Sequence, residues 1–365
     1  MTDWGRSNRT DRFEFCLCDP FSLNETGVVE ADPSASSLTW GYYTDNLSSG
    51  TVTLANENPI KLEKDRLVRV KHVVTADGVT DSRTIATMFV KDCPGSSKFG
   101  LTKYKANCYS TLYRYTQDVI TSDFSRKTGC NVVQAIRDIV EETGGKLRVL
   151  DGTDTSRTFG NDIWFELSTN RMEVLNTIAG WIDAQIGCDA EGYVTIEPYL
   201  RPSEKPVKYV FEAGRNCTYL PGVDEEDNRA DIVNRVVAYY TRESKKDDDQ
   251  YPLTDRVCVA LDGKSAFSYE RCGRYQTEVI KLTEPCSHAD LEKKATTYLD
   301  ENSGEIRHYT IEHVSIPGLT VGDVVDYEND TDYDEPVNAR CMIVQMDMRS
   351  LTPGAKCTTK LKRID

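Results

Sequence analysis

Apolar and polar residues alternate along the first third of the chain, which is the period of a β-strand. Short runs rich in Val, Thr, Tyr and Phe are separated by turn residues such as those at 56–59 and 77–78. The runs predict longer loops at 19–36 and 92–100 and strands at 12–18, 37–43, 50–55, 67–74, 83–91 and 101–115. Many short strands at this spacing indicate a barrel or a sandwich, so residues 1–125 are predicted to form a first β-barrel.

The hydrophobic period changes near residue 125, where two helical stripes replace the alternation. Their spacing predicts one helix at 130–143, ended by Gly144 and Gly145, and a second at 171–186, ended by Gly187. Short strand-like runs accompany these helices at 147–150, 163–167 and 193–199. Residues 126–206 are therefore predicted to be a small α/β domain inserted into the β structure.

The rest of the chain returns to the period of strands. Runs within 207–242 are predicted to complete the first barrel, because the two ends of an inserted domain must lie close together. Residues 243–365 are predicted to form a second barrel with one helix at 287–301. The expected fold class is α+β and mostly β, with two β-barrel domains and an inserted small α/β domain.

The most informative stretch is 305–327, in which a strand runs into two tight turns. Pro317 presets φ, and Gly318 tolerates the positive φ that a type II turn requires. Gly322 and Asp323 belong to a second turn that leads into another apolar strand. Such turns close small β-barrels, so these four residues are predicted to define the fold rather than to carry chemistry.

The charge balance argues against several kinds of partner. Among 365 residues, 44 are Lys or Arg and 59 are Asp or Glu, which gives a net charge of -15. A nucleic-acid-binding surface needs a basic face, whereas acidic walls would let DNA pass along a channel without binding to it. No apolar run approaches the roughly 18 residues of a membrane helix, and the polar N-terminus is not a secretory signal.

Twelve cysteines are scattered through the chain, with no CxxC pair and no Cys/His quartet. Most of them lie in apolar or strand-like runs, which predicts buried reduced thiols in a protein assembled in a cytoplasm. A few disulfides remain an alternative, and the pattern does not favour zinc.

One loop concentrates acidic side chains at alternating positions: Glu328, Asp330, Asp332 and Asp334. The calcium loop of an EF-hand has Gly at its sixth position, but the sixth residue counted from Glu328 is Tyr333. A solvated hairpin tip and a weak cation site remain as alternatives, so no metal site is assigned.

No catalytic or cofactor site is predicted. His308 and His313 would face opposite sides of one strand, so they cannot share a metal. The sequence contains no Gly-x-Ser-x-Gly elbow, phosphate-binding loop or dinucleotide fingerprint. Pairs of carboxylates carry no weight in a chain with 59 acidic residues.

Three motifs together resemble the central baseplate hub or tail-tip hub proteins of tailed phages. The first is the helix, strand and turn that end in IPGLTVGDVV at 316–325. The second runs from STNRMEVL at 168–175 to the strand GYVTI at 192–196, and the third is DIVNRVVA at 231–238. This family includes the structural N-terminal part of tail-associated lysins and the hubs of contractile tails.

The resemblance implies two barrels like those of the tail tube in each subunit, and a homotrimer whose ring caps and extends the tube at the virion tail tip. The partners it implies are the tail tube protein, the distal tail ring protein, the tape-measure protein, and tail fibre or tip proteins. DNA would pass through the channel without specific binding. The wall-degrading or fibre extension of many relatives does not follow residue 365 in this sequence, so an enzyme is not expected.

Two other functions remain as alternatives. The chain could be a distal tail ring protein or a carbohydrate-binding tip protein of the same particle. A cell-wall hydrolase that acts through carboxylates is the third possibility. The oligomeric mass separates a distal tail ring protein or a carbohydrate-binding tip protein from a hub, because a hub is expected to be a trimer.

Overall fold

The computed structural model describes residues 9–44, 46–55, 62, 66–76, 78–98, 101–121, 124–213, 217–220, 224–227, 232–242, 253–282, 287–303, 307–329 and 337–364. The described chain is mostly β, which confirms the predicted α+β class. None of the described helices is long and apolar enough to span a membrane.

The strands and helices follow one another in chain order. The N-terminal elements are β1 (Arg9–Cys18), β2 (Glu25–Val28), β3 (Ser37–Gly41), β4 (Ser48–Thr53), β5 (Leu67–Ala76), β6 (Val79–Asp92), β7 (Gly95–Lys98), β8 (Leu101–Ser110) and α1 (Tyr113–Thr116). The central elements are β9 (Phe124–Arg126), α2 (Val132–Glu142), β10 (Leu147–Val149), β11 (Ile163–Phe165), α3 (Arg171–Gly180), β12 (Ala184–Cys188), β13 (Val194–Pro198) and β14 (Val207–Phe211). The remaining elements are β15 (Asp224–Asp227), β16 (Arg235–Arg242), β17 (Leu253–Ala260), α4 (Tyr269–Cys272), β18 (Thr277–Leu282), α5 (His288–Asn302), β19 (Arg307–Val314), β20 (Val324–Asn329), β21 (Val337–Met348) and β22 (Lys356–Arg363).

Backbone contacts divide the chain into two units, which are Met1–Gly222 with Thr310–Leu361 and Val223–Tyr309 with Lys362–Asp365. In the first unit, one sheet runs in the order β19-β22-β21-β3-β4-β8-β6-β5-β1-β2, with β20 beside β21 and β14 beside β20. The N-terminal and C-terminal strands meet where β3 pairs antiparallel with β21, from Leu38 opposite Met348 to Gly41 opposite Gln345. This pairing brings distant parts of the sequence into one sheet.

The strands β14 and β16, within 207–242, have partners outside residues 1–125. β14 is parallel to β20, with Phe211 opposite Tyr327. β16 pairs with β17 and β18. The Phe211 side chain is fully buried, so the pairing of β14 with β20 places it in the core. Among the described residues, the strands of the large sheet follow an open order and do not close into two barrels. The predicted domain boundaries at 125, 206 and 243 therefore stay a prediction.

The segment between α1 and β14 contains the predicted mixture of helices and strands. β13 lies between β10, which is parallel to it, and β12, which is antiparallel. Asn131 and Asn170 cap α2 and α3 through side-chain oxygens that accept backbone N–H bonds. The buried apolar residues of both helices and of this small sheet form one core cluster.

The predicted helix at 171–186 is wrong over its last part. α3 ends at Gly180, Asp183 takes a positive φ of 49°, and β12 follows. The apolar spacing of Ile182 and Ile186 also suits a strand, and pairing of β12 with β13 decides between the two. The predicted strand at 101–115 likewise ends at Ser110, and β2 and β7 form within segments predicted as loops.

The second unit contains a three-stranded sheet in the order β17-β16-β18. The predicted helix at 287–301 is present as α5, and Ser287 begins it with a capping box whose second member is Asp290. Leu291, Ala295 and Leu299 of α5 are buried against one face of the sheet. The helix therefore supplies half of this small core.

His313 of β19 is buried in the core of the first unit. Its Nδ1 donates to the carbonyl oxygen of Val314 at 2.8 Å, so Nε2 accepts from the Thr359 hydroxyl at 2.8 Å. Burial lowers the pKa of His313 from 6.5 to about 4, and the bond to Val314 opposes this only partly. The folded state therefore holds the neutral imidazole.

Acidification is expected to destabilise the fold through His313. The pKa of His313 is lower in the folded state than in the unfolded state. The stability that His313 contributes is therefore complete above the unfolded pKa of about 6.5 and is lost as the pH falls towards 4. Between pH 7 and pH 5 the loss is about 2 kcal/mol in the free energy of unfolding. Urea titration of the wild type and of His313→Gln at both pH values measures this loss in the free energy of unfolding. The variant should lack the part of the pH dependence that comes from His313.

The exposed His288 provides the matched control, since its ring contacts Asp255 at the protein surface. His288→Gln should keep the pH dependence of the wild type. An identical pH dependence in the wild type and His313→Gln would contradict the assignment.

Candidate functional site

The four predicted turn residues lie together between β19 and β20. The Leu319 N–H donates to the Ile316 carbonyl at 3.3 Å, and Gly318 has a φ of 83°, as the predicted first turn requires. In the second turn, the Asp323 N–H donates to the Thr320 carbonyl and the Asp323 carboxylate accepts from the Thr320 N–H at 2.8 Å. The backbone therefore forms two successive tight turns at these positions.

Backbone hydrogen bonds fix the second turn to β21. The Gly322 N–H donates to the Ile343 carbonyl at 2.8 Å, and the Ile343 N–H donates back to the Asp323 carbonyl at 2.9 Å. This exchange continues the pairing of β20 with β21 into the turn. The turn thus sets the register of the strand that follows it.

Two lysines also hold the turn: Lys205 precedes β14, and Lys208 is part of it. Lys208 Nζ lies 2.8 Å from Asp323 Oδ2, and Lys205 Nζ donates to the Gly322 carbonyl at 3.1 Å. Lys205 also lies over the Tyr42 ring, 5.6 Å from its centroid. Sequence reasoning missed both lysines, because the parallel pairing of β14 with β20 that brings them here joins residues more than one hundred positions apart.

Gly322 occupies a position that no larger residue fits. Its φ is 83°, and a Cβ built there would lie 2.8 Å from Tyr42 Cε2. The residue therefore meets both a backbone and a packing requirement. The sequence predicted only the first.

A buried ionic cluster anchors the chain just before the first turn. Asp11 accepts from Arg9 and from His72 Nε2 at 2.9 Å, and the Arg9 guanidinium donates to the Ser315 carbonyl at 2.6 Å. The Gly354 N–H completes the Asp11 contacts at 3.2 Å. Burial acts to raise the pKa of Asp11, but the bonds from His72 and Arg9 outweigh it, so the pKa lies below its ordinary value. The cluster therefore links β1 and β5 to the end of β19 and to the residues just before β22.

The acidic loop contributes no metal site that the structure describes. Glu328 is part of β20, and its carbonyl accepts from the Tyr219 hydroxyl at 2.7 Å. Asp330, Asp332 and Asp334 lie outside the described residues. Within the described part of the chain, no three His, Cys, Asp or Glu side chains are grouped as metal ligands.

A polar cavity of about 290 Å³ lies beside α2, α3 and β9. At its base, the buried Arg171 donates to Asp118 at 2.6 Å and to Glu142 at 2.8 Å. The bond to Glu142 is the main reason that the pKa of Arg171 lies above its ordinary value. These charges satisfy one another, so the cavity presents a structural ion-pair network rather than a reactive group.

Replacement of Asp11 by Asn is expected to destabilise the protein by about 3 kcal/mol, because it leaves the Arg9 guanidinium buried without its carboxylate. Chemical denaturation measures the change in the free energy of unfolding. Glu14→Gln is the control, since it removes an exposed pair with Arg12 and should cost less than about 0.5 kcal/mol. Equal effects of the two substitutions would contradict the role of the cluster.

Gly322→Ala is expected to lower the free energy of unfolding by about 2–3 kcal/mol, because the new Cβ meets Tyr42 in addition to the strained φ. Gly354→Ala is the matched control, since Gly354 has a φ of 70° and open space at its Cβ position. The control should cost only about 1 kcal/mol. A Gly322 variant no less stable than the Gly354 variant would show that the contact with Tyr42 adds nothing.

No protein-family model matches the chain, and no curated protein matches it. Solved structures resemble it over almost its whole length. A tail protein from Neisseria meningitidis MC58 has a TM-score of 0.66 at 11% identity, with 96% of this chain and 97% of that chain covered. The 43 kDa tail protein of prophage MuSo2 from Shewanella oneidensis has a TM-score of 0.63 at 13% identity, with coverage of 97% and 98%.

A third solved structure is the prophage tail protein gp18 from Listeria monocytogenes EGD-e. Its TM-score is 0.58 at 11% identity, with 96% of this chain and 94% of that chain covered. At identities this low, the similarity establishes a shared fold and nothing more. The coverage shows that the shared fold extends over nearly all of each chain. The resemblance predicted from the sequence is thus confirmed at the level of fold: the chain has the fold of phage tail proteins.

Proposed function

We propose that this chain is a structural protein of a phage-type tail, and that it forms the hub at the tail tip or baseplate. The observation that carries the proposal is the similarity to tail proteins from three bacterial sources over nearly all of each chain. A similarity confined to one common β domain would say far less, because many functions share such domains.

Two sets of strands make up the large sheet, and a trimeric hub would use each set as one tube-like β domain. One set of strands comes from residues 9–110 and a second from β14 and β19–β22, and the two meet where β3 pairs with β21. Each subunit would then provide two tube-like β domains, so three subunits would provide six. That number would match the sixfold symmetry of a tail tube and let a trimeric ring cap and extend it.

The charge of the chain suits a ring around a channel. A net charge of -15 on each subunit repels phosphates, so DNA would pass without specific binding. The tape-measure protein would occupy the same channel before DNA release. The ring would connect the tail tube protein to the distal tail ring protein and to tail fibre or tip proteins, and the particle would be assembled in the host cytoplasm.

Exposed apolar side chains in the central segment are candidate contacts with those outer proteins. Trp164 and Leu167 are each 57% exposed, on and just after β11. Large exposed apolar side chains near one another mark protein contacts more often than free surface. We propose a non-enzymatic role, which the similarity to tail proteins over nearly all of each chain supports.

Light scattering coupled to size-exclusion chromatography tests the hub proposal. The purified chain is expected to have three times the mass of one subunit, because a closed ring buries its interfaces only when three copies are present. A dilution series should lower the mass without a stable dimer. A stable hexamer would favour a distal tail ring protein instead, and a monomer at every concentration would contradict the hub.

A further inference from the structure

The three-stranded sheet of the second unit has one covered face and one open face. α5 packs on the face that carries Val236, Ala238 and Val257, all of which are buried. Side chains alternate along a strand, so the opposite face carries the intervening residues. We call it the open face, and its members on the three strands are Arg235, Val237, Tyr239, Arg256, Cys258, Ala260, Thr277, Val279 and Lys281.

Strand register arranges the open face in rows. Val237 lies opposite Cys258 on one side and Val279 on the other, which makes an apolar row across the sheet. The next row consists of Arg256, Tyr239 and Lys281. Val279 is 57% exposed, so the apolar row is open to solvent in the single chain.

The open face is basic although the chain is strongly acidic. It carries Arg235, Arg256 and Lys281, whereas the acidic residues of these strands, Asp255 and Glu278, alternate onto the opposite face. None of the three cations forms an ion pair with a described residue. Arg235 instead donates to the Thr277 hydroxyl at 2.8 Å and lies 4.0 Å from the centroid of the Tyr275 ring.

An ordered loop extends the open face with aromatic side chains. Tyr269 stacks on Tyr275 with ring centroids 4.4 Å apart, and both rings are nearly half exposed. The buried Asn234 holds this loop, because its side chain donates to the carbonyls of Phe267 and Arg274 and accepts from the Gln276 N–H. Arginine and tyrosine on a rigid support are the residues most enriched at the centres of protein interfaces.

We propose that the open face binds an acidic surface of a second copy of this chain. Each copy has a net charge of -15, so copies repel one another unless their contact joins opposite charges. The open face supplies cations that form no ion pair with a described residue, and an apolar row to bury. The same net charge repels nucleic acid, which disfavours a phosphate backbone as the occupant.

The contact is heterologous, because a basic face meets an acidic surface rather than itself. Such a contact closes into a ring when the rotation between copies permits. The inference rests on the proposed hub function, and it names the surface through which the copies of the ring attract one another. It also predicts that added salt weakens the ring.

The test compares charge-reversal variants by light scattering over a dilution series in about 0.15 M salt. Arg256→Glu with Lys281→Glu should raise the concentration at which the trimer dissociates by about tenfold or more, and Val279→Asp should act in the same direction. These side chains are exposed, so the variants should fold, which circular dichroism and thermal melting check. Arg157→Glu with Lys105→Glu is the control, since it changes the net charge equally at exposed residues of the first unit.

Trimers that dissociate in both open-face variants and persist in the control would support the proposal. A trimer that both variants leave intact would overturn the assignment of the surface while leaving the hub function standing. A wild type that is monomeric throughout would overturn both. Binding of a fluorescein-labelled single-stranded oligonucleotide that the wild type shows and the Arg256/Lys281 variant loses would assign the open face to nucleic acid instead.

Discussion

The pairing of β3 with β21 is the constraint on which the rest of the first unit depends. It joins strands from the two ends of the sequence, with Trp40 opposite Met346 at its middle. Once these strands pair, the segment between them must leave the sheet and return to it. The helices and short strands between α1 and β14 form the part of this segment that lies outside the large sheet, and β14 rejoins the sheet beside β20. The buried cluster of Arg9, Asp11 and His72 makes a second link between the N-terminal and C-terminal strands, through Ser315 and Gly354.

The turn between β19 and β20 is where this organisation meets the sequence motif. Its glycines have positive φ, and its backbone exchanges hydrogen bonds with Ile343. Lys205 before β14 binds its carbonyl group, and Lys208 of β14 binds its carboxylate. The residues of the motif are explained by their structural contacts, which agrees with the proposed structural role.

Local chemistry made some features predictable from the sequence. The turns at Pro317–Gly318 and Gly322–Asp323 follow from the φ values that only glycine adopts easily, and α2 and α5 follow from apolar spacing with capping residues. Other features depend on distant pairing. Ile186 fits a helical stripe as well as a strand, and only β13 decides for the strand. The parallel partners of β14 and β16 could not be predicted, because no local signal specifies a parallel partner. Asp11 and His72 meet only after β1 and β5 align.

The central claim is that three copies of this fold make a ring around a channel that continues a tail tube. Cryo-electron microscopy of the purified assembly measures this most directly, because it reports symmetry, channel and subunit orientation together. The account predicts a threefold ring in which the large sheets of each subunit surround an open axis with approximate sixfold symmetry. A true sixfold ring, a closed axis without a channel, or particles of a single subunit would contradict it.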